Sequence, residues 1–385
     1  MIRTRKNPKV IHREGDRLKK LYVEPTSLCN LNCAMCFRKT WIDEGFGNLD
    51  YALFQNMLKD PMFLEDVETV FFGGMGEPLI HPDIFRMIED VKAAGKRVEL
   101  ITNGTSIRPE VCRRLVDLGI DTLWISIDSF DPEEYKMIQV GSDFGAVVSN
   151  IAAYNAAREG TACGLGLTFV LMKSNILQLL AFEEFSDYVR ADSVNFSNMI
   201  PNSPEMEDET LAYQTILHEY THPHRYGGKR SDYVALIRFL EEDLEENPGV
   251  ENLIDEFGGL LWKGQPLLRR EDNCRFVDEG TCFVRWDGDV SPCMSLLHSA
   301  KTCLYKDFRT VMHYSFGNIR QSSLSEIWNL EEYARFRKKV DEFSFAPCVS
   351  CGGCLKRLGS AEDCIGNSEP TCGACLWGQG VAQCP

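Results

Sequence analysis

Positive charge is scarce in this chain. Lys and Arg number 41 against 57 Asp and Glu, a net charge of −16. That balance argues against nucleic acid as a partner, because a polyphosphate ligand selects for basic surfaces. The few basic residues near the start, Arg3, Arg5 and Lys6, read as a solvated tail. Long hydrophobic runs are missing as well. No stretch of eighteen apolar residues occurs, so no helix is expected to span a membrane. The segment from Met1 to Arg17 lacks an apolar core, which excludes a secretory signal and makes the cytoplasm the expected location.

Cysteine, by contrast, is abundant. With no secretory route, sixteen cysteines do not point to disulfides. In a reducing compartment they read as metal ligands. They are unevenly placed, with three near residue 30, two isolated and eleven beyond residue 270. A chain of 385 residues with 44% apolar content has material for two domains. The cysteine asymmetry points to a second domain with metal sites of its own.

The densest group is Cys29-Asn30-Leu31-Asn32-Cys33-Ala34-Met35-Cys36-Phe37, preceded by the apolar Leu21-Tyr22-Val23. A cubane iron–sulfur cluster normally takes four thiolates, and this loop supplies three. One iron is then open to a ligand, as a catalytic metal site requires and a structural one avoids. On spacing alone, a partial zinc site also fits.

From Lys20 to about Met199 the chain repeats a strand–loop–helix rhythm. Strands are expected at Lys20–Glu24, Glu68–Phe72, Arg97–Thr102, Thr122–Asp128, Gly164–Met172 and Ser193–Met199. Ile84, Phe85, Ile88 and Val91 share a helical face closed by Gly95, and Val111, Leu115 and Leu118 share one closed by Gly119. Further helices are expected from about Phe144 to Glu159, and from Asn175 to Tyr188 with Ser174 as cap. Alternating apolar strands and helices imply a parallel sheet, and six units predict an α/β fold, a partial (β/α)6 barrel.

The unusual residues sit just past the strand ends: Thr26-Ser27-Leu28-Cys29, Gly73-Gly74-Met75-Gly76-Glu77-Pro78, Thr102-Asn103-Gly104, Ser126-Ile127-Asp128-Ser129 and Asn198-Met199-Ile200-Pro201. In a β/α barrel such positions share one mouth, where active sites are built. The glycines allow close backbone approach to a ligand, and Glu77 can accept from an ammonium group.

Residues from about 203 to 265 lose the rhythm and turn acidic. They contain His218-Glu219-Tyr220-Thr221-His222, a literal HExxH, but Pro223 follows at once and no third ligand is evident. A surface helix is expected there, with another at Val234–Glu246. Beyond Asn273 the cysteines return. Cys274 and Cys282 precede two short strands around Trp286-Asp287-Gly288, ending at Cys293. A helix-like stretch, Leu324–Val340, separates them from Cys348, Cys351, Cys354, Cys364, Cys372, Cys375 and Cys384. Ten thiols exceed what two closed tetrahedral sites need, although zinc or a single cluster remains compatible with them. Cys112, Cys163 and Cys303 lie outside the motifs and read as buried, inert thiols.

The C-x3-C-x2-C loop with Phe37 after it resembles that of the radical S-adenosylmethionine (SAM) superfamily. The resemblance implies that Cys29, Cys33 and Cys36 hold the SAM-binding 4Fe–4S cluster. It implies that Gly73, Gly74, Gly76 and Glu77 stand for the Gly-Gly-Glu segment that receives the SAM amino group, with Met75-Gly76 inserted. Asn103, Ser126 and Asp128 would contact the SAM ribose and carboxylate. The C-terminal part resembles the SPASM extension of these enzymes. Gly288-x4-Cys293 matches its signature, with Cys274 and Cys282 upstream, whereas the later spacing departs from the usual C-x2-C-x5-C-x3-C. Two auxiliary 4Fe–4S clusters are implied, shared among Cys274, Cys282, Cys293 and the seven later cysteines. The expected organisation is a tail at 1–18, the partial barrel at 19–202, an acidic helical bridge at 203–270 and the cluster domain at 271–385.

A narrower resemblance lies in Leu21-Tyr22-Val23-Glu24-Pro25-Thr26-Ser27 and in the tail from Cys364 to Gly380 with Cys384-Pro385. These segments resemble the radical SAM maturases of tungsten-cofactor oxidoreductases. The function this implies is reductive cleavage of SAM to a 5′-deoxyadenosyl radical that matures such an oxidoreductase or its cofactor. Its partners would be a low-potential donor of ferredoxin or flavodoxin type and a protein or pterin-cofactor substrate. An alternative is peptide modification, by oxidation or thioether formation. Sulfatase-maturing members carry an aspartate directly after the Gly-x4-Cys cysteine, where this chain has Met294. A plain iron–sulfur electron carrier would need neither the glycine segment nor an open iron. Three cubanes correspond to about twelve iron atoms per chain. Replacing Cys29, Cys33 and Cys36 together by Ala is expected to leave roughly two-thirds of that iron, as read by metal analysis after anaerobic reconstitution.

Overall fold

A computed structural model of the chain describes residues 17–42, 45–210, 261–262, 265–266, 274–304, 307–346, 348, 354–368, 370–375 and 377. The six expected strands form. They are β1 (Lys20–Val23), β2 (Thr69–Phe72), β3 (Arg97–Thr102), β4 (Thr122–Ser126), β5 (Gly164–Leu171) and β6 (Ser193–Asn198). All neighbouring pairs from β1 to β6 are parallel. The hairpin of β7 (Leu261–Trp262) and β8 (Gln265–Pro266) stands apart from this sheet. β9 (Thr281–Val284) and β10 (Val290–Ser291) are the two short strands expected around Gly288, which takes a positive φ of 94°. β11 (Ala300–Leu304) and β12 (Asp307–Val311) make a separate antiparallel ribbon.

The connecting helices are α1 (Tyr51–Met57), α2 (Pro61–Glu65), α3 (Ile84–Ala93), α4 (Pro109–Asp117), α5 (Pro132–Ile138), α6 (Phe144–Ala157) and α7 (Leu179–Tyr188). In α3, Ile84, Ile88 and Val91 are fully buried against the sheet, as their spacing predicts, together with Met87, whereas Phe85 of the expected face is only half-buried. Gly95 and Gly119, just beyond α3 and α4, take φ of +74° and +69°, the left-handed backbone that ends a helix at little cost for glycine. Asp143 caps α6 by accepting from the Ala146 N–H at 2.8 Å.

Two expectations change. Ser174 caps no helix. Its N–H donates to Glu209, and a 3-10 turn at Ile176–Gln178 precedes α7. The stretch Leu324–Val340 is two helices, Leu324–Trp328 and Glu331–Asp341. The first opens with a capping box of Ser323 and Glu326 and stops at Asn329. The C-terminal part joins the barrel sheet, where β9 pairs in parallel with β1 and extends the order to β10-β9-β1-β2-β3-β4-β5-β6. The HExxH segment and Val234–Glu246 lie outside the described residues. Among the described residues, no helix is long and apolar enough to cross a membrane.

Side chains alternate across this extended sheet with period two. Leu21 and Val23 join the helix-covered core, while Tyr22 points inward and stacks on Phe283, ring centroids 4.4 Å apart. A further tie joins α2 to the C-terminal helices. Asp60 caps α2 through the Met62 N–H at 2.8 Å, and its other oxygen accepts from both N–H and Oγ of Ser325 at 3.0 and 2.9 Å. Asp60 is buried. Asp60→Ala leaves these donors unsatisfied and is expected to cost about 1–3 kcal/mol, seen as a lowered melting temperature with no change in the spectrum of the bound iron.

Candidate active site

The cysteine loop leaves β1 and is held from several sides. The N–H groups of Asn32 and Ala34 donate to the carbonyls of Val140 and Ile138, at 3.0 and 2.8 Å. Asn202 Nδ2, beyond β6, donates to the Cys36 carbonyl at 3.1 Å. The loop is therefore clamped by the far side of the barrel. Burial pushes the Cys33 thiol up to about 12, and the nearby charges of Asp128, Cys36 and Cys29 push the same way. Burial also raises Cys36, with Cys29 adding to it and the backbone and charge of Arg38 opposing. The three thiols thus lie within electrostatic range of one another. Partly buried thiols of this kind need a compensating cation to ionise, and three of them suit an iron–sulfur cluster.

The Gly73–Gly76 segment follows β2 and runs against this loop. A Cβ on Gly76 would lie 2.0 Å from the Thr26 carbonyl oxygen and 2.6 Å from that of Leu28. The inserted Met75-Gly76 therefore lets the two loops touch backbone to backbone. Gly74 has φ +123°, and a Cβ there would meet the Glu24 side chain at 2.7–2.8 Å.

Glu77 closes the glycine segment. Its carboxylate is buried and accepts from Thr102 Oγ1 at 2.7 Å, the Asn103 N–H at 2.8 Å and the Leu79 N–H at 3.1 Å. Burial raises its pKa, and these three hydrogen bonds pull it back. The side chain thereby ties the β2 and β3 loops together. Asn103 Nδ2 donates to Asn30 Oδ1 at 2.9 Å and lies 3.9 Å from Cys29 Sγ, which sets it directly on the cysteine loop. Asp128 is fully buried beyond β4. It accepts from the Val170 N–H at 2.9 Å and Gln139 Nε2 at 2.9 Å, and burial pushes its carboxyl up to about 6. Gln139 Nε2 also reaches the Ser126 carbonyl at 3.2 Å. Ser126 and Asp128 thus belong to one network beside Cys33.

The ten C-terminal cysteines separate. Cys274, Cys293, Cys372 and Cys375 line one cavity, without closing to metal-ligand spacing among the described residues. Burial raises the first three thiols, Cys274 to about 11, and each is pushed further by others of the group. Gly373 makes the Cys372–Cys375 turn possible, since a Cβ there would lie 1.8 Å from the Ala346 carbonyl oxygen. Cys282 is not with them. It pairs in register with Leu21, faces the helix-covered core and is raised to about 12 by burial. Its neighbour Phe283 takes the inner face instead. Cys348 is buried against Ala346 and Ala374, while Cys354 and Cys364 both act on Lys356. Cys351 and Cys384 lie outside the described residues. Cys112 and Cys163 are buried in the core, and Cys303 Sγ donates to Glu207 Oε2 at 3.2 Å.

A cavity of about 490 Å³ lies at the four later cysteines and reaches Phe37, next to Cys36, although Cys29, Cys33 and Cys36 do not line it. Phe37, Trp41 and Met75 line it on one side, and Cys274, Cys293, Cys372 and Cys375 on the other, with Met294, His298 and Arg309 between. Sequence reasoning missed Glu24, Trp41 and His298. Glu24 carried a readable signal, an acid directly continuing an apolar strand; His298 carried none.

A barrel mouth that gathers three thiols of a C-x3-C-x2-C loop, a glycine segment and a cavity backed by further thiols defines an iron–sulfur enzyme. This chain belongs to the radical SAM superfamily. The family model for that superfamily matches residues 23–172, and a second, described as an iron–sulfur cluster-binding domain (SPASM), matches residues 274–355. The chain is 30% identical over 377 residues to the tungsten-containing aldehyde ferredoxin oxidoreductase cofactor-modifying protein of Pyrococcus furiosus, covering 96% of this chain and 97% of that one. It is 24% identical over 366 residues to the AdoMet-dependent heme synthase of Methanosarcina barkeri, covering 91% and 94%. Among solved structures, native anSMEcpe with bound AdoMet aligns with a TM-score of 0.55 at 17% identity, covering 94% of this chain and 95% of that one. Streptococcus suis SuiB bound to S-adenosylmethionine aligns with a TM-score of 0.54 at 16% identity, covering 88% and 71%. Both share the fold.

Because Glu77 is a tie, Glu77→Ala is expected to lower stability by about 2–4 kcal/mol through two or more orphaned donors. The measurement is thermal unfolding together with iron content, and the loop of Cys29 is expected to lose iron first.

Proposed function

We propose that this enzyme reductively cleaves S-adenosylmethionine and uses the resulting 5′-deoxyadenosyl radical to mature a tungsten-cofactor oxidoreductase or its cofactor. The observation that carries the reading is the cavity, lined by Met75 of the glycine segment and by Cys274, Cys293, Cys372 and Cys375. Cys29, Cys33 and Cys36 would hold the SAM-binding cluster. Cys274, Cys293, Cys372 and Cys375 would hold one auxiliary cluster, and Cys348, Cys354 and Cys364, with Cys351, would remain for a second. When bound, the first cluster and SAM supply the radical, with the electron coming from a low-potential donor.

The chain's own residues prepare the space in which that radical acts. Gly74 and Gly76 let the glycine segment pack against Glu24 and the Thr26–Leu28 backbone, a placement that would set it for SAM, and Asn103 steadies the Cys29–Asn30 corner. Phe37, Trp41, Phe276 and Trp377 give the cavity aromatic walls, which keep water from quenching a reactive carbon. A volume of about 490 Å³ lies within the range of small-molecule and cofactor sites. The Pyrococcus relative is named for modifying the cofactor of a tungsten enzyme, which supports the same assignment here. Met294 lies in the cavity wall directly after Cys293, so the carboxylate used by sulfatase-maturing members has no counterpart at that position.

Deleting the gene is expected to leave the tungsten oxidoreductase expressed but inactive. The wild-type gene restores activity and a Cys33→Ala copy does not, as read by aldehyde oxidation in extracts. Full tungsten-enzyme activity in the deletion strain overturns the maturation role.

A further inference from the structure

Glu24, Trp41 and His298 come from three separate stretches and meet in the interior. Glu24 directly follows β1, Trp41 follows the 3-10 turn Phe37–Thr40 beyond the third cysteine, and His298 lies five residues after Cys293. Glu24 is 1% exposed and His298 4%. Both Glu24 oxygens lie 2.9 Å from His298 Nε2, and Oε1 also accepts the Met75 N–H at 2.9 Å. Trp41 stacks on the imidazole, ring centroids 4.1 Å apart and planes 18° from parallel. Its backbone is pinned beside that ring by a bridge to Ala300 and by the Ile42 N–H donating to the Ser299 carbonyl at 3.0 Å.

We propose that His298 is a positioning residue for SAM. Acting through Glu24, it fixes the Met75 amide and with it the Gly73–Gly76 backbone, so that SAM affinity depends on a side chain of the cluster domain. This rests on the reading that the glycine segment holds SAM. A carboxylate removed from water keeps its place only with charge-assisted donors. Among the described residues Glu24 has two of them, the imidazole and the Met75 amide. Without the imidazole, the carboxylate is held by the amide at a desolvation cost that favours turning away or taking a proton. Either change weakens its hold on the Met75 N–H. Gly74 is the complementary half of the device, since any Cβ there would collide with Glu24.

The test uses the reconstituted full-length holoenzyme, with SAM itself as the probe. Its dissociation constant is measured by equilibrium dialysis, and its KM in dithionite-driven formation of 5′-deoxyadenosine. His298→Phe keeps a ring on Trp41 but cannot donate, and is expected to weaken SAM binding roughly tenfold. His298→Gln retains an N–H for Glu24 and is expected to return affinity to within about threefold of wild type. Glu24→Ala is expected to weaken binding at least as much as His298→Phe, and the double variant no further, because both act on one amide. In each case kcat holds while KM moves. A His298→Phe protein that binds SAM as wild type does, a Gln variant as weak as the Phe variant, or effects that multiply in the double variant overturn the proposal. Wild-type protein that binds no SAM removes the SAM-site reading and this inference with it, whereas normal SAM binding with unaffected variants removes this inference alone.

Discussion

Backbone pairing between β1 and β9 is the constraint from which the site's architecture follows. Without it β1 would be a sheet edge, with a row of unpaired N–H and C=O groups. The four registered pairs from Lys20↔Thr281 to Val23↔Val284 are extended at both ends, by the Lys19 N–H donating to Gly280 and the Glu24 N–H to Val284. A parallel register makes paired side chains face the same way. Tyr22, Phe71 and Phe283 therefore build one inner wall, and Cys274, Cys293 and Met294 pack against it. The later cysteines are thus brought to the inside of the same barrel that presents Cys29, Cys33 and Cys36 at its mouth.

Around that wall, buried polar groups take the place that apolar packing has elsewhere. Glu77, Asp128, Glu24 and Asp60 are all buried, and each is satisfied by donors from a different loop or domain. Each carries a desolvation cost that only a complete set of partners offsets. Such groups therefore specify loop geometry more sharply than hydrophobic contact does. Breaking one partner leaves a buried charge, which is why the loops of β1, β2 and β3 act as one body. Two glycines complete this: at Gly74 and Gly76 a carboxylate and a carbonyl stand where a Cβ would be.

Much of this was legible beforehand because it is local. Six strands and their helices follow from short-range hydrophobic period and glycine stops, and β3 falls on its expected bounds, Arg97–Thr102. The Cys29, Cys33 and Cys36 loop is legible for the same reason, being contiguous. The helix-like stretch 324–340 divides into two helices at a local signal that could have been read, the stop at Asn329 after the capping box at Ser323. Cys282 was misplaced for a subtler reason. Its position in sequence, beside Cys274 and Cys293, says nothing about which face of β9 it takes, and a shift of one residue exchanges the two faces.

The sequence by itself determined the α/β rhythm, the three-thiol loop, the glycine segment and the wealth of thiols beyond residue 270. These rest on neighbouring residues, whose chemistry and period need no partner to be read. Only the tertiary structure decided which thiols meet, that Glu77 faces inward as a tie, and that Glu24 is paired with His298 across 274 residues of chain. Those outcomes depend on strand register and on close approach between distant backbones. Such long-range pairing is fixed by the packing of the whole sheet, and no single stretch of sequence carries it.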